Sequence, residues 1–149
     1  MIRTLFISLL VLVSPNGLAD SRWGAPGDPV FDRIDRGARL WLESVCEPRP
    51  ELADYFSKDF QGTGIDGARY GRERPLAFEG GGRDCRFDRL TVQIFDERVA
   101  VAYGNESVIF GQQDERACLA WTDTWLNENG VWRIIAAQDN FVACEADSP

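Results

Sequence analysis

Residues 116–141 read RACLAWTDTWLNENGVWRIIAAQDNF, and the fold turns on how this stretch is paired. Alternating runs on either side of Glu128, Asn129 and Gly130 describe two β-strands joined by a tight turn. Strand side chains alternate between faces, so Trp121, Asp123 and Trp125 share one face. If that face is buried, Asp123 is a polar point in an apolar pocket rather than a surface carboxylate.

The strands upstream decide the matter. Residues 85–95 carry Leu90, Val92 and Ile94 on one face and Arg89, Thr91 and Gln93 on the other. A turn at Asp96 and Glu97 leads into a strand over 98–110. The loop 111–115 leads into 116–127, and the Asn-Gly turn into 131–143. With the shortest hairpins, Leu90 stands opposite Tyr103, Tyr103 opposite Asp123, and Asp123 opposite Ile135, the last through a glycine bulge at Gly130. One face then holds Leu90, Val92, Ile94, Val99, Val101, Tyr103, Leu119, Trp121, Asp123, Trp125, Ile135, Ala137 and Asp139. The apolar side of the first strand makes this the helix-covered face, so Asp123 points inward. Asp139 falls opposite Leu119, roughly 13 Å along the sheet from Asp123 at the usual strand rise. Trp132 and Ile134 fall on the opposite, outer face, and large apolar groups there imply a homodimer interface.

The first half is helical. Asp28 followed by Pro29 is an N-cap with a first-turn proline. Val30, Ile34, Ala38, Trp41, Leu42 and Val45 recur at helical spacing, which predicts an amphipathic helix over 29–46, ended by Pro48 and Pro50. A second short helix is expected over 51–56, a strand pair or irregular hairpin over 62–71, and a third helix over 72–78, broken by Gly80, Gly81 and Gly82. Helices followed by a meander of long strands make an α+β protein, an antiparallel sheet with helices packed on one side.

This order, and the closing pattern T-D-x-W followed by N-G-x-W-R-I-I-A-A-Q, resembles the SnoaL-like domains of the nuclear transport factor 2-like superfamily over roughly 29–144. The resemblance implies a curved antiparallel sheet, with helices packed on its concave face, wrapped around a cone-shaped pocket, and commonly a dimer through the sheet's outer face. The ketosteroid isomerases of that fold pair a protonated aspartate with a tyrosine, and Asp123 lies about where that aspartate falls. They also need a carboxylate base on an early strand. The corresponding residues here, Gln61, Gly62, Thr63 and Gly64, supply none.

Composition limits what the domain does. Arg3, the apolar run from Leu5 to Val13, and the small residues before Asp20 read as a secretory signal peptide over 1–19. The run is too short to span a membrane, so no stable membrane insertion is expected after cleavage. A flexible leader over 20–28 and a tail over 145–149 flank the domain. Of the 16 basic residues only Lys58 is not arginine, and they are scattered along a chain of net charge −8, or −9 without Arg3. That excludes the basic stripe a nucleic-acid partner requires. There is no histidine, so histidine-based triads and metal sites are excluded, and no metal or cofactor is expected. The 4 cysteines all follow residue 19, consistent with disulfides in the periplasm or outside the cell. The register places Cys85 and Cys118 at one end of the sheet, with Cys144 nearby and Cys46 closing the first helix. The expected pairs are Cys46–Cys144 and Cys85–Cys118.

The candidate site is therefore Trp41, Tyr103, Trp121, Asp123, Trp125 and Asp139, with Asp123 the one candidate catalytic group. A carboxylate desolvated between tryptophans has a raised pKa. Three functions suit such a cone. It could bind a small apolar or aromatic ligand, act as an isomerase, cyclase or hydratase using Asp123 as acid or oxyanion donor, or be a filled core in a non-catalytic interaction protein. The missing base favours binding.

Overall fold

A computed structural model describes residues 20–77, 79–111 and 115–144. The expected signal peptide and C-terminal tail lie outside them. Helix α1 spans Pro29–Cys46, with the Asp28 carboxylate accepting from the Val30 N–H. Its inward face buries Ile34, Ala38 and Leu42. The second short helix is a 3-10 turn, Pro50–Tyr55, and the third, α2, is only Glu73–Leu76.

The strands are β1 (Ser21–Trp23), β2 (Phe56–Thr63), β3 (Arg69–Gly71), β4 (Gly82–Phe95), β5 (Val99–Phe110), β6 (Arg116–Glu128) and β7 (Val131–Val142). They form one curved sheet in the order β1-β4-β5-β6-β7-β2-β3. β2 runs parallel to β7 while every other pair is antiparallel, so the sheet is mixed rather than wholly antiparallel. The meander of β4 to β7 and the helix-covered face agree with the sequence. The leader does not. Ser21 to Trp23 pair with β4, the Gly24 N–H donates to the Val92 carbonyl at 2.9 Å, and Arg22 forms ion pairs with Asp28 and Glu97.

Three registers differ from those expected, each by a small change with a large consequence. Asp96 and Glu97 both take positive φ, and pairing resumes only at Phe95 with Val99, leaving three residues in the turn rather than two. A one-residue slip turns a whole strand over. On β5 the inward residues are therefore Ala100, Ala102, Gly104 and Val108, while Tyr103 points outward and is 41% exposed. Val99 and Val101 leave the inner face with it. The next loop slips by one in the opposite sense, pairing Asp123 with Ala102, so β6 returns to the expected orientation.

The third difference is in the closing hairpin. Asn129 and Gly130, at φ 56° and 89°, make a two-residue turn that pairs Glu128 with Val131, and the extra residue is taken up as a bulge at Ile135 instead. Before the bulge Trp132 and Ile134 point inward, 7% and 0% exposed; after it, Ala137 and Asp139 do. Trp132 and Ile134 are thus core residues, which removes the argument for a dimer interface built on them, and Ile135 is not part of the inner face proper.

The disulfides also differ from expectation: they are Cys46–Cys85, with sulfurs 2.08 Å apart, and Cys118–Cys144, 2.03 Å apart. Cys118 pairs across the sheet with Val142, two residues from Cys144, so the last strand's end is the nearest partner. Cys85 lies near the start of β4, the strand on which α1 packs, and this brings it to Cys46 at the helix end.

Candidate functional site

The concave side of the sheet, α1, β3 and α2 enclose a cavity of about 160 Å³. Each wall follows from a strand's parity or a helix face. Trp41 and Val45 descend from α1, and Tyr70 and Arg74 close the side from β3 and α2. Glu106 and Val108 rise from β5, Leu119, Trp121 and Asp123 from β6, and Asp139 from β7.

Two tight approaches set the aromatic walls. A Cβ on Gly104 would lie 2.0 Å from the Trp121 ring, and one on Gly62 would lie 2.2 Å from the Tyr70 ring. No other residue lets these rings lie flat on the neighbouring strands. Trp41 meets Phe56 edge to face at 4.8 Å, so its ring is held by the core behind it.

Asp123 is 3% exposed and faces the cavity, and no described residue donates a hydrogen bond to it. Burial raises its pKa well above the usual carboxylate value, and the neighbouring Asp139 and Glu106 charges push it further the same way. Asp139, half-buried, is raised to about 6 by burial, opposed by a long 3.5 Å hydrogen bond from the Tyr70 hydroxyl and by the Arg74 charge. Glu106 is raised to about 8, by burial first and then by Asp139. The Trp121 indole N–H partly offsets that rise, although the contact falls short of hydrogen-bond geometry and Nε1 is left buried without a partner. The Tyr70 hydroxyl is itself raised, by burial and then by the Asp139 charge.

Of the expected site residues, Trp41, Trp121, Asp123 and Asp139 line the cavity. Trp125 is fully buried behind it, edge-on to Tyr55 at 6.5 Å, and Tyr103 lies on the opposite side of the sheet. Asp139 is much nearer to Asp123 than expected. It pairs with Trp121 rather than Leu119, because the Ile135 bulge and the tighter turn advance β7 by two residues. Glu106, Tyr70 and Arg74 were missed. Glu106 was lost with the β5 register. The signal that could have found it is Gly104, a small residue of the kind that must lie beneath a tryptophan on the next strand.

No protein-family model matches the chain, and no curated protein matches it. Solved structures do. An NTF2-like (nuclear transport factor 2-like) protein from Cytophaga hutchinsonii aligns with a TM-score of 0.62 at 13% identity, covering 80% of this chain and 100% of that one. An uncharacterized protein with a cystatin-like fold from Caulobacter vibrioides gives 0.60 at 21% identity, covering 76% and 89%. A putative Ca/calmodulin-dependent kinase II association domain from Exiguobacterium sibiricum gives 0.64 at 13%, covering 82% and 100%. Two disulfides fit an extracellular location, and no helix among the described residues is long and apolar enough to cross a membrane. At these identities the likeness is one of fold: the chain has the α+β fold of the nuclear transport factor 2-like proteins.

Proposed function

We propose that this is an exported small-molecule-binding domain whose cone holds a compact apolar or aromatic ligand. The observation that carries the reading is the cavity itself. Four aromatic rings, Trp41, Tyr70, Phe110 and Trp121, wall a space of about 160 Å³. At its inner end Asp123 is almost wholly buried, with no hydrogen-bond partner among the described residues. Pockets that bind small molecules pair apolar walls with a few convergent polar groups. A core that was merely filled would leave neither the space nor an unpartnered carboxyl, which costs stability.

Titration of the intrinsic tryptophan fluorescence with compact ring compounds tests this. A saturable change is expected, weakened about tenfold or more in Trp41→Ala, the loss of one good aromatic contact. Absence of saturable binding across such a set would overturn the reading.

A second reading, acid–base catalysis, is favoured by one observation: Asp139 sits beside the deeply buried Asp123 and has a pKa of about 6. Carboxyls in one site whose environments hold them at different pKa values divide into acid and base. Asp123 would be the protonated donor and Asp139 the base, in an isomerase, cyclase or hydratase. Turnover of a bound ring compound, abolished by Asp139→Asn with binding retained, distinguishes it from simple binding.

A further inference from the structure

The cavity carries three carboxyl groups, one from each of β5, β6 and β7: Glu106, Asp123 and Asp139. Among the described residues that line it, the one basic side chain is Arg74, whose guanidinium carbon lies 4.7 Å from the centroid of the Tyr70 ring. From α1 the cavity receives Ala38, Trp41 and Val45, none of which titrates. Asparagine or glutamine at these positions would supply hydrogen bonds without like-charge repulsion. What three acids supply in addition is negative charge in a place shielded from water, where it attracts a cation most strongly.

We propose that the cone takes a compact organic cation, its nitrogen set among Asp123, Asp139 and Glu106 and its apolar body against Trp41, Tyr70 and Trp121. This rests on the binding reading above and assigns the ligand's charge. A cation within reach of aromatic faces gains further from their quadrupoles, so walls and floor favour the same guest. The spacing selects against a bare metal ion. Among the described residues no three acidic or sulfur-bearing side chains converge closely enough to hold one. A charged nitrogen on an organic body can satisfy carboxyls that do not meet at a point.

The proposal has a proton signature. Burial holds all three carboxyls above their usual range, Asp139 to about 6 and Glu106 to about 8. The groups acting on them are one another, Tyr70 from β3, Arg74 from α2, and Asp88 from β4, which adds a small upward push on Glu106. At acid pH the carboxyls hold protons that a cation must displace, so cation affinity rises with pH. A neutral ligand that accepts hydrogen bonds from protonated acids weakens instead.

Calorimetric titration of the disulfide-bonded protein with benzylammonium and with benzyl alcohol, at about pH 5 and about pH 8, tests the charge, because the two probes share a ring and differ in charge. Benzylammonium should bind about tenfold or more tightly at the higher pH, the effect of displacing one proton across one pKa unit. Asp123→Asn and Glu106→Gln should each lower the ratio of benzylammonium to benzyl alcohol affinity by about tenfold. Circular dichroism confirms that each variant is folded. Benzyl alcohol binding as well as benzylammonium at about pH 8, or a benzylammonium affinity that does not rise with pH, overturns the cation and leaves the ring-binding pocket standing. If folded protein binds neither probe, both readings fall.

Discussion

Asp139 stands directly across the β6–β7 ladder from Trp121, one inward position along from the pairing of Asp123 with Ala137. This places two carboxyls and an indole at one end of the cavity, beside Glu106 on the neighbouring strand. A bulge of one residue, Ile135, helps to bring it about.

The cluster dictates an unusual pH dependence. A carboxyl whose pKa is raised in the folded protein binds its proton more tightly there than in the unfolded chain. Stability from that proton is present at low pH and is lost as pH rises from the unfolded value through the folded one. For Asp139 and Glu106 the loss runs from near 4 up to about 6 and about 8. The chain has no histidine to mask it. Asp28 and Asp84, lowered chiefly by their arginine hydrogen bonds, act in the opposite sense only at more acid pH. Thermal unfolding should therefore show highest stability near pH 4, falling by on the order of 2 kcal/mol or more toward pH 8. A flat or rising profile would contradict the buried cluster.

Asp123→Asn removes the charge and keeps the shape. The variant should come closest to the native protein near pH 4, where Asp123 keeps its proton in the folded protein and largely in the unfolded chain, and exceed it by about 1 kcal/mol or more near pH 8. Strong destabilisation at both pH values would mean that the carboxylate is a charged structural partner instead.

Gly104→Ala puts a methyl group where the Trp121 ring lies, 2.0 Å away. The ring must leave its place against β5, at a cost of about 1–3 kcal/mol for overpacking, and the cavity wall moves with it. Near-ultraviolet circular dichroism and the denaturation midpoint read out the two effects together.

Trp132→Glu buries a charge in the core, since Trp132 is 7% exposed. Loss of about 3–5 kcal/mol, and with it most of the fold, is expected. A well-folded variant altered only in its association state would instead restore an outer-face position for this residue.

Proteolytic mapping without reductant should recover fragments linking Cys46 to Cys85 and Cys118 to Cys144. Replacing the second pair by alanines should cost about 2–4 kcal/mol, and the loss should appear in the unfolding midpoint.

Local patterns carried much of this protein. Asp28 and Pro29 marked the start of α1, and its apolar spacing marked the buried face. Alternation along β4 and β6 put Val92, Trp121, Asp123 and Trp125 inward, as they are. Period-two and period-3.6 patterns are properties of short segments, and a chain reports them directly. What lay beyond local pattern was register. The turn at Asp96 places two non-glycine residues at positive φ, and the Ile135 bulge has no residue type that announces it. Each is chosen by which strand faces pack under α1. The small inner face of β5, with Gly104 beneath Trp121, looks unpromising until the indole that fills it is in place. Packing therefore decided that Tyr103 and Trp132 exchange sides, that the cysteines pair as they do, and that Glu106 and Asp139 join Asp123 in one cavity. A strand's neighbour fixes its register, and the neighbour is known only in three dimensions.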